Sequence, residues 1–534
     1  MKNMLKKSIY LLGLSLALTS CTKDLDVVSE DDDIFTAEAF YSQPGAYERA
    51  LAGVYGNLSL TGTQDAGSSF LQGIDAGTSQ YGRCLWYLQN LTTDEVIWSY
   101  ENDPGTRELQ RTIWTANNPI FLGMFSRTMA EVALANEFLR QTTPAKLSSR
   151  GVTDATQLSN IATYRQEVRV LRAMAYYNMM DLFGKAPFVT ENDPVNFRGP
   201  EYNRQQLFTY VENELNAVIP DLKAPRTNVY GRLDQAMARM ILAKMYLNAE
   251  VFIGTPKYTE CVAQLNQVIG GGYTLSSNYF NNFTADNHIS PEMIFSLQSD
   301  GVVTQNFGPT TVMINGQVGS MESNGVSLGV GAGGWGGALR LRKQFVQKFE
   351  GSAFASDARK SAILPGSRNI DITDIANRDQ GYILAKYKNV SSTGVAGPNS
   401  TFVDTDFPLF RLADAYLMYA ECAVRGASGA TLAQAVTYVN ALRERANNGN
   451  SSANISAADL TLDFILDERS RELHWEGHRR QDLIRFNKFT GGSYNWAWKG
   501  NGVNGIAISN NLKVFPIPTN SIAANPNLTQ NPGY

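Results

Sequence analysis

Cysteine and histidine are scarce in this chain of 534 residues, which contains only 4 Cys and 3 His. The cysteines, Cys21, Cys84, Cys261 and Cys422, are far apart and form no C-x-x-C pair. This spacing excludes a disulfide-rich scaffold and a zinc ribbon. One disulfide among the last three cysteines fits the sequence, but we expect them to be buried thiols.

The chain also lacks an excess of positive charge and any long apolar run. Its formal net charge is −4, whereas a nucleic-acid-binding surface needs a basic patch or stripe. No segment holds about 18 consecutive apolar residues, so we expect no membrane span. Hydrophobic residues make up 43% of the chain and charged residues 18%, which is typical of a folded globular protein.

The first residues carry a targeting signal. Three lysines precede a short apolar run at residues 9–18, which suits a signal peptide and is too short to span a bilayer. The run ends in Leu18-Thr19-Ser20-Cys21, which resembles the lipobox of bacterial lipoproteins. We therefore predict a signal peptide over residues 1–20, lipidation of Cys21 and an acidic tether over residues 21–40. Acyl chains on Cys21 would anchor the protein in the membrane.

Most of the mature chain shows helical periodicity. Three long stretches repeat apolar or small residues at spacings of three and four, which places them on one helix face. They are Val168, Leu171, Ala175, Met179 and Leu182; Leu233, Met237, Met240, Ala243 and Leu247; and Leu412, Ala415, Tyr419 and Ala423. The small residues permit close helix contacts, and the pattern resembles tetratricopeptide helix hairpins.

We predict a mainly α fold with a single body over residues 41–534. Its first half, residues 41–269, carries tetratricopeptide-like helix pairs. Its second half, residues 270–534, opens with a loop-rich region of Gly, Asn, Ser and Thr that reaches about residue 408. Long loops of this kind are usually functional, so we expect loops and short strands here to form the binding face.

The C-terminal helical stretch contains a motif and three charge pairs. Ser456-Ala457-Ala458-Asp459 resembles a capping box, which predicts a helix start directly after it. The expected ion pairs, interpreted as a structural salt-bridge face in preference to a ligand site, are Asp467 with Arg471, Glu476 with Arg480, and Asp482 with Arg485. The last residues, from about 514, hold too much Pro and Asn for a helix.

Five stretches together resemble the SusD family of surface lipoproteins. They are YRQEVRVLRAMAYYNMMDLFGKAPFVT, GRLDQAMARMILAKMYLNAEVFIG, FPLFRLADAYLMYAECAVRG, ILDERSRELHWEGHRRQDLIRF and the closing PIP…NPNLTQNPGY. The resemblance implies four tetratricopeptide-like helix pairs, variable loops that carry a glycan site, and no enzymatic activity. It also implies a location on the outer membrane facing the exterior. The implied partner is a SusC-like TonB-dependent transporter, over which the lipoprotein sits as a lid.

The resemblance is greater to the starch-binding branch of the family. In NLTTDEVIWSYEN, Trp98 matches a tryptophan that stacks on sugar, and Asn102 falls near an asparagine that binds hydroxyls. Arg83 matches an arginine with the same role. Phe307, in DGVVTQNFG, replaces a tyrosine of that branch, and Trp335, in GGWGG, matches its third aromatic residue. The implied ligand is starch or another α-1,4-glucan.

These residue types suit a coiled glucan. An aromatic face covers the C–H face of a pyranose ring, while Arg and Asn bind its hydroxyl groups. Three rings set in an arc would follow the curve of an α-1,4-glucan. Trp98 fits a core position equally well, whereas the glycines around Trp335 predict exposure. Trp114, Trp475, Trp496 and Trp498 are interpreted as structural, and Trp86 stays open between the two roles.

Metal binding and catalysis have less support in the sequence. His474 and His478 do not form the H-E-x-x-H motif of zinc proteases. Asp286, in TADNHISPE, is the candidate ligand for a structural calcium ion, and no other cofactor is expected. Two alternatives remain: a surface glycosidase, which needs two carboxylates across a cleft, and a binder of another glycan or of peptides on the same scaffold.

Overall fold

The computed structural model describes residues 36–69, 71 and 75–534. The predicted signal peptide over residues 1–20, the lipidation at Cys21 and the acidic run at residues 24–33 lie outside the described residues. The first helix, Ala37–Tyr41, is capped by Thr36, and its Glu38 forms ion pairs with Lys146 and Arg150. The end of the predicted tether, residues 36–40, is therefore part of the folded body.

The described chain is mainly helical, as predicted. The α-helices are α1 (Ala37–Tyr41), α2 (Ala46–Ser59), α3 (Tyr81–Trp86), α4 (Thr106–Gln110), α5 (Pro119–Gln141), α6 (Pro144–Ser149), α7 (Ala155–Leu182), α8 (Arg204–Val218), α9 (Gln235–Leu247), α10 (Ala249–Ile253), α11 (Tyr258–Ile269), α12 (Pro309–Gly316), α13 (Lys343–Val346), α14 (Leu412–Val424), α15 (Leu432–Ala446), α16 (Leu462–Leu473), α17 (Arg479–Arg485) and α18 (Thr519–Ala524). A π-helical turn, Tyr87–Leu91, follows α3 directly. Helix α18 lies in the tail that the sequence analysis expected to be non-helical.

The long helices pack as successive pairs. Helix α5 lies against α7, α7 against α8, α9 against α11, and α14 against α15, while α11 also contacts α14. The apolar faces predicted from the sequence are buried, for example at Leu171 and Met240. One large cluster of buried side chains includes residues from both halves of the chain, such as Leu171 and Leu417. The predicted tetratricopeptide-like scaffold is confirmed.

Four short antiparallel strand pairs lie on this scaffold. The strands are β1 (Val96–Trp98), β2 (Lys185–Pro187), β3 (Glu201–Asn203), β4 (Met293–Leu297), β5 (Leu339–Leu341), β6 (Ile363–Leu364), β7 (Ile383–Leu384) and β8 (Phe407–Arg411). They pair as β1 with β5, β2 with β3, β4 with β8, and β6 with β7. Of the eight strands in the described residues, β4, β5, β6 and β7 fall within the predicted loop-rich region, and β8 begins at its end.

The C-terminal helical stretch is broken, and three predictions made for it are wrong. Ser456 and Asp459 form a turn, and the cap of α16 is Thr461, whose hydroxyl accepts from the backbone N–H of Phe464. Trp475 and Gly477 have positive φ angles of 62° and 80°, so the helix cannot continue past them.

Two of the three predicted ion pairs are wrong, and the break explains only the one between Glu476 and Arg480. Glu476 pairs with Lys386 and Arg411 instead of Arg480. Asp467 pairs with Lys348, although Asp467 and Arg471 do lie on one continuous helix. The pair between Asp482 and Arg485 is confirmed at 2.9 Å.

The cysteines that the structure describes are buried. Cys84, Cys261 and Cys422 are free thiols in the interior, as expected. Trp114, Trp475, Trp496 and Trp498 belong to the core, and so does Trp86. Between residues 36 and 534, apart from the positions that are not described, no helix is long and apolar enough to cross a membrane.

Glu131 on α5 is a buried carboxylate that accepts a hydrogen bond from one donor among the described residues. Its Oε2 atom accepts from Nδ2 of Asn57 at 2.8 Å. Burial raises the pKa of Glu131 from 4.5 to about 8. The folded protein thus keeps a proton that the unfolded chain releases near pH 4.5, so this group makes the folded state less stable as pH rises from about 4.5 to about 8.

We predict that Glu131→Gln removes this pH dependence, because glutamine keeps the acceptor for Asn57 and cannot ionise. The free energy of unfolding of the variant should rise relative to wild type by up to about 1.4 kcal/mol per pH unit within that range. Urea unfolding at pH 5, 6, 7 and 8 measures this difference. Glu350→Gln, at an exposed position, is the control. Parallel pH profiles for wild type and Glu131→Gln would contradict the prediction.

Candidate ligand-binding site

Strands β1 and β5 bring two distant parts of the chain together. Trp98 pairs with Leu339, and the backbone N–H of Ser99 donates to the carbonyl of Ala338 at 2.8 Å. The glycine-rich loop at residues 333–337 directly precedes β5, so it lies beside the residues that follow β1. This pairing places Trp98 next to Trp335.

The acidic pair before Trp98 anchors this arrangement. The carboxylate of Asp94 is buried and accepts two hydrogen bonds of 2.7 Å from the guanidinium of Arg479 on α17. It also accepts from the hydroxyl of Tyr494 at 2.5 Å. These partners hold the pKa of Asp94 well below its usual value, although burial opposes them. Asp94 is therefore a structural ion and does not face a ligand.

Glu95 joins the same segment to the break between α16 and α17. Its Oε2 atom accepts from Nδ2 of Asn90 at 2.8 Å and from the backbone N–H of Trp475 at 3.1 Å. Burial raises the pKa of Glu95 to about 7. Both acidic residues thus fix β1 to the helical scaffold.

Trp98 is almost completely buried, with 2% of its surface exposed. Its Nε1 donates to Oδ2 of Asp103 at 2.7 Å. Its ring meets Trp335 edge to face, with centroids 6.1 Å apart, and Tyr100 in the same manner at 5.9 Å. The ring of Trp98 therefore packs against the rings of Tyr100 and Trp335, and little of its own face is open to solvent.

Trp335 is half-buried at the tip of the glycine-rich loop. The backbone N–H of Trp335 donates to the carbonyl of Asn315 at 2.9 Å, and the backbone carbonyl of Trp335 accepts from the hydroxyl of Tyr100 at 2.6 Å. Gly334 must be glycine, because its φ is 41° and a Cβ there would lie 2.4 Å from Val318. The sequence predicted that Trp335 is exposed. In the structure its ring is only partly open, because one side packs against Trp98.

Arg83, the arginine predicted to bind a ligand, lies on α3. Its Nε and Nη2 atoms donate to the hydroxyl of Tyr87 at 3.0 and 2.8 Å. Within the described part of the chain, its Nη1 atom has no hydrogen-bond partner. A Cβ built on Gly77 would lie 2.9 Å from Nη1 and 3.2 Å from Cβ of Phe307, so glycine keeps this space open.

Phe307 lies on the loop of residues 299–307 that follows β4. Its half-buried ring packs edge to face on Phe402, with centroids 5.1 Å apart. Carboxylates hold the start of this loop: Asp406 accepts from the N–H of Ser299 at 2.8 Å, and Asp404 from the N–H of Gly301 at 2.8 Å. These hydrogen bonds fix the start of the loop that carries Phe307.

These side chains line one depression of about 510 Å³, which we call the Trp335 depression. Its lining residues are Ala66, Gly67, Asp75, Ala76, Gly77, Arg83, Trp98, Tyr100, Asp103, Phe307 and Trp335. The structure thus brings Arg83, Trp98, Phe307 and Trp335 together. Apolar ring faces and a few polar groups in one concave surface are typical of a small-ligand site.

Asn102 is the one predicted ligand residue that does not line the Trp335 depression. It is exposed, and its neighbour Asp103 takes the lining position. Asp75, Tyr100 and Asp103 also line the depression and were not predicted from the sequence. The sequence did contain a signal for Tyr100. It lies two residues after Trp98, and residues two apart on an extended strand lie on the same face.

Asp286 lies away from the Trp335 depression and has protein partners. Its carboxylate accepts from the hydroxyl of Thr284 at 2.7 Å, and from the N–H and hydroxyl of Ser392 at 2.7 and 2.6 Å. Among the residues that the structure describes, no three Cys, His, Asp or Glu side chains form a metal-binding group. The calcium assignment stays a prediction.

The fold and the Trp335 depression define a helical-repeat scaffold that presents an aromatic surface on its loops. The chain belongs to the SusD family. The family model described as "SusD family" matches residues 342–534. The starch-binding protein SusD of Bacteroides thetaiotaomicron is 33% identical, over 98% of this chain and 97% of that protein. The SusD-like protein P25 of Formosa agariphila is 26% identical, over 88% of each chain.

Solved structures share the fold. A SusD homolog from Bacteroides thetaiotaomicron matches with a TM-score of 0.71 and 20% identity, over 93% of this chain and 98% of that chain. Surface glycan-binding protein A from the same organism, in complex with laminarihexaose, matches with a TM-score of 0.68 and 21% identity, over 91% and 98% of the two chains. Relatives whose names state a role are binding proteins, which agrees with the prediction of a non-catalytic protein.

We predict that Asp94→Asn destabilises the fold strongly, because it leaves the buried guanidinium of Arg479 without a counter-charge. The free energy of unfolding should fall by about 3 kcal/mol or more. Asp467→Asn is the matched control: its carboxylate is 46% exposed and pairs with Lys348, so its loss should cost less than about 1 kcal/mol. Chemical denaturation of both variants measures the difference, and equal effects would contradict the anchoring role of Asp94.

Proposed function

We propose that this protein binds oligosaccharides of the α-1,4-glucan class at the Trp335 depression and is not an enzyme. The observation that carries the proposal is the depression itself. Trp335 and Phe307 offer partly open ring faces, and Arg83 adds beside them an Nη1 donor that bonds to none of the described residues.

The chemistry of the depression matches that of a sugar. A pyranose ring has an apolar C–H face that an aromatic ring covers without leaving a polar group unpaired. Its hydroxyl groups both donate and accept hydrogen bonds. Nη1 of Arg83 supplies a donor, and the carboxylates of Asp75 and Asp103 supply acceptors at the same surface.

The choice of α-1,4-glucan rests on the starch-binding relative, which covers almost the whole chain at 33% identity. The aromatic positions predicted from that resemblance meet at one surface, with one change of role. Trp98 is buried, so we assign it the support of Trp335, and we assign Trp335 and Phe307 the contact with sugar. Rings placed apart around a concave surface suit a coiled chain.

We place the protein at the outside of the cell, anchored through lipid on Cys21. A receptor tethered there would capture oligosaccharides and deliver them to a SusC-like TonB-dependent transporter in the outer membrane. The N-terminal sequence and the family resemblance support this assignment. A modest affinity suffices, because many tethered copies on one cell raise the effective concentration of sites.

Calorimetry on a soluble form that starts after Cys21 tests the proposal. We expect maltoheptaose to bind with a Kd of about 0.1–1 mM. Trp335→Ala should weaken binding about tenfold or more, because the ring face contributes most of the apolar contact. Phe197→Ala, which removes a 46% exposed ring outside the Trp335 depression, is the control and should bind as wild type does.

Each other outcome has a distinct meaning. Binding of laminarihexaose but not maltoheptaose would replace the α-1,4-glucan assignment with another glycan. No binding of either ligand would contradict the glycan proposal and favour a peptide ligand. Release of shorter sugars from maltoheptaose would identify the protein as a glycosidase.

A further inference from the structure

A second depression, of about 420 Å³, lies between α2, the segment of residues 229–232 and strand β4. We call it the Tyr230 depression. Leu51, Phe295 and Leu297 form its apolar floor, and Tyr230 stands at its rim with 43% of its surface exposed. Neither the sequence analysis nor the family resemblance assigned these residues a role.

The Tyr230 and Trp335 depressions are neighbours, because the same two chain segments line both. Along the loop after β4, Thr304 lines the Tyr230 depression and Phe307 lines the Trp335 depression. Three peptide units separate them, so their Cα atoms are at most about 11 Å apart. Along the segment after α2, Leu60 lines the first and Ala66 the second. A separation of this size lies within the length of an oligosaccharide of a few sugar units.

Tyr230 is held in place by the group that also fixes the loop of Phe307. The hydroxyl of Tyr230 donates to Oδ2 of Asp406, and Oδ1 of the same carboxylate accepts from the N–H of Ser299 at 2.8 Å. The ring also packs edge to face on His288, with centroids 5.7 Å apart. An aromatic ring that is both exposed and fixed binds a ligand at a low cost in conformational entropy.

The remaining lining residues suit a sugar better than a purely apolar ligand. Glu48, Gln298 and Thr304 are exposed and border the apolar floor with a carboxylate, an amide and a hydroxyl. These groups accept and donate hydrogen bonds as sugar hydroxyls require. The combination of one fixed ring, an apolar floor and a polar rim matches the chemistry of the Trp335 depression.

We propose that the Tyr230 depression is an extension subsite, which binds the part of a long oligosaccharide that continues past the Trp335 depression. The inference rests on the proposed function and adds to it a preference for long chains. Tyr230 would stack on a sugar unit, while Gln298 and Thr304 would bind its hydroxyl groups.

Calorimetry with α-1,4-glucans of increasing length tests this subsite. With wild-type protein we expect the affinity to keep rising for chains that are longer than the Trp335 depression can cover. Tyr230→Ala should weaken binding of such long chains about five- to tenfold and leave maltotriose binding unchanged. Phe197→Ala, with a ring of similar exposure outside both depressions, is the matched control and should change neither.

A second variant guards against an effect of Tyr230→Ala on folding. Ala52 is exposed on α2 and lines the Tyr230 depression, so Ala52→Met narrows it at a position where a helix tolerates methionine. This variant should also weaken the binding of long oligosaccharides and leave the binding of maltotriose unchanged. Equal loss for short and long chains in both variants, or no loss in either, would overturn the subsite while the proposed function stands. Absence of binding to wild type at every length would overturn both proposals.

Discussion

Buried pairs of carboxylates and guanidinium groups join the helices of this protein to its loops, and Glu472 lies where several of them meet. Its carboxylate accepts hydrogen bonds from Arg359, Arg411 and Arg445. These arginines come from the 3₁₀ turn Ala358–Ala362, from β8 and from α15. Because an unpaired charge in the interior is very costly, these contacts favour the arrangement in which all three elements bring their arginines to the carboxylate of Glu472.

The same constraint sets the position of the candidate site. Asp94 and Arg479 fix the start of β1 to α17, and the pairing of β1 with β5 then carries Trp98 to the glycine-rich loop of Trp335. Asp406 holds the loop of Phe307 by a hydrogen bond, since its carboxylate accepts from the N–H of Ser299. The scaffold thus supplies rigidity through buried charges, while the exposed loops supply the ring faces. This division explains how a loop-built surface can present a defined arrangement of aromatic side chains.

In the proposed function, two neighbouring depressions make the length of the oligosaccharide a variable of recognition. The Trp335 depression is richer in aromatic rings, and the Tyr230 depression has a larger apolar floor beside a polar rim. Asp406 links them, because it bonds both to Tyr230 and to the loop that carries Phe307. A polymer that contacts both surfaces gains affinity from a second set of contacts without a second association event.

The sequence by itself determined the helical scaffold and the identity of several site residues. Helical periodicity is local, so the apolar faces of α7, α9 and α14 are visible in the residues themselves, and so is the end of α7 near Gly184. Resemblance to relatives named Arg83, Trp98, Phe307 and Trp335, which do meet at one surface.

Only the tertiary structure decided which groups are partners and which are exposed. Trp98 is a buried support, Asp103 rather than Asn102 lines the Trp335 depression, and Glu476 pairs with Arg411 rather than with Arg480. Ion pairs and burial depend on residues that are far apart in the chain. Local spacing therefore cannot reveal them. At Glu476, for example, the positive φ angles of Trp475 and Gly477 redirect the chain, so Arg480 does not lie one helical turn away.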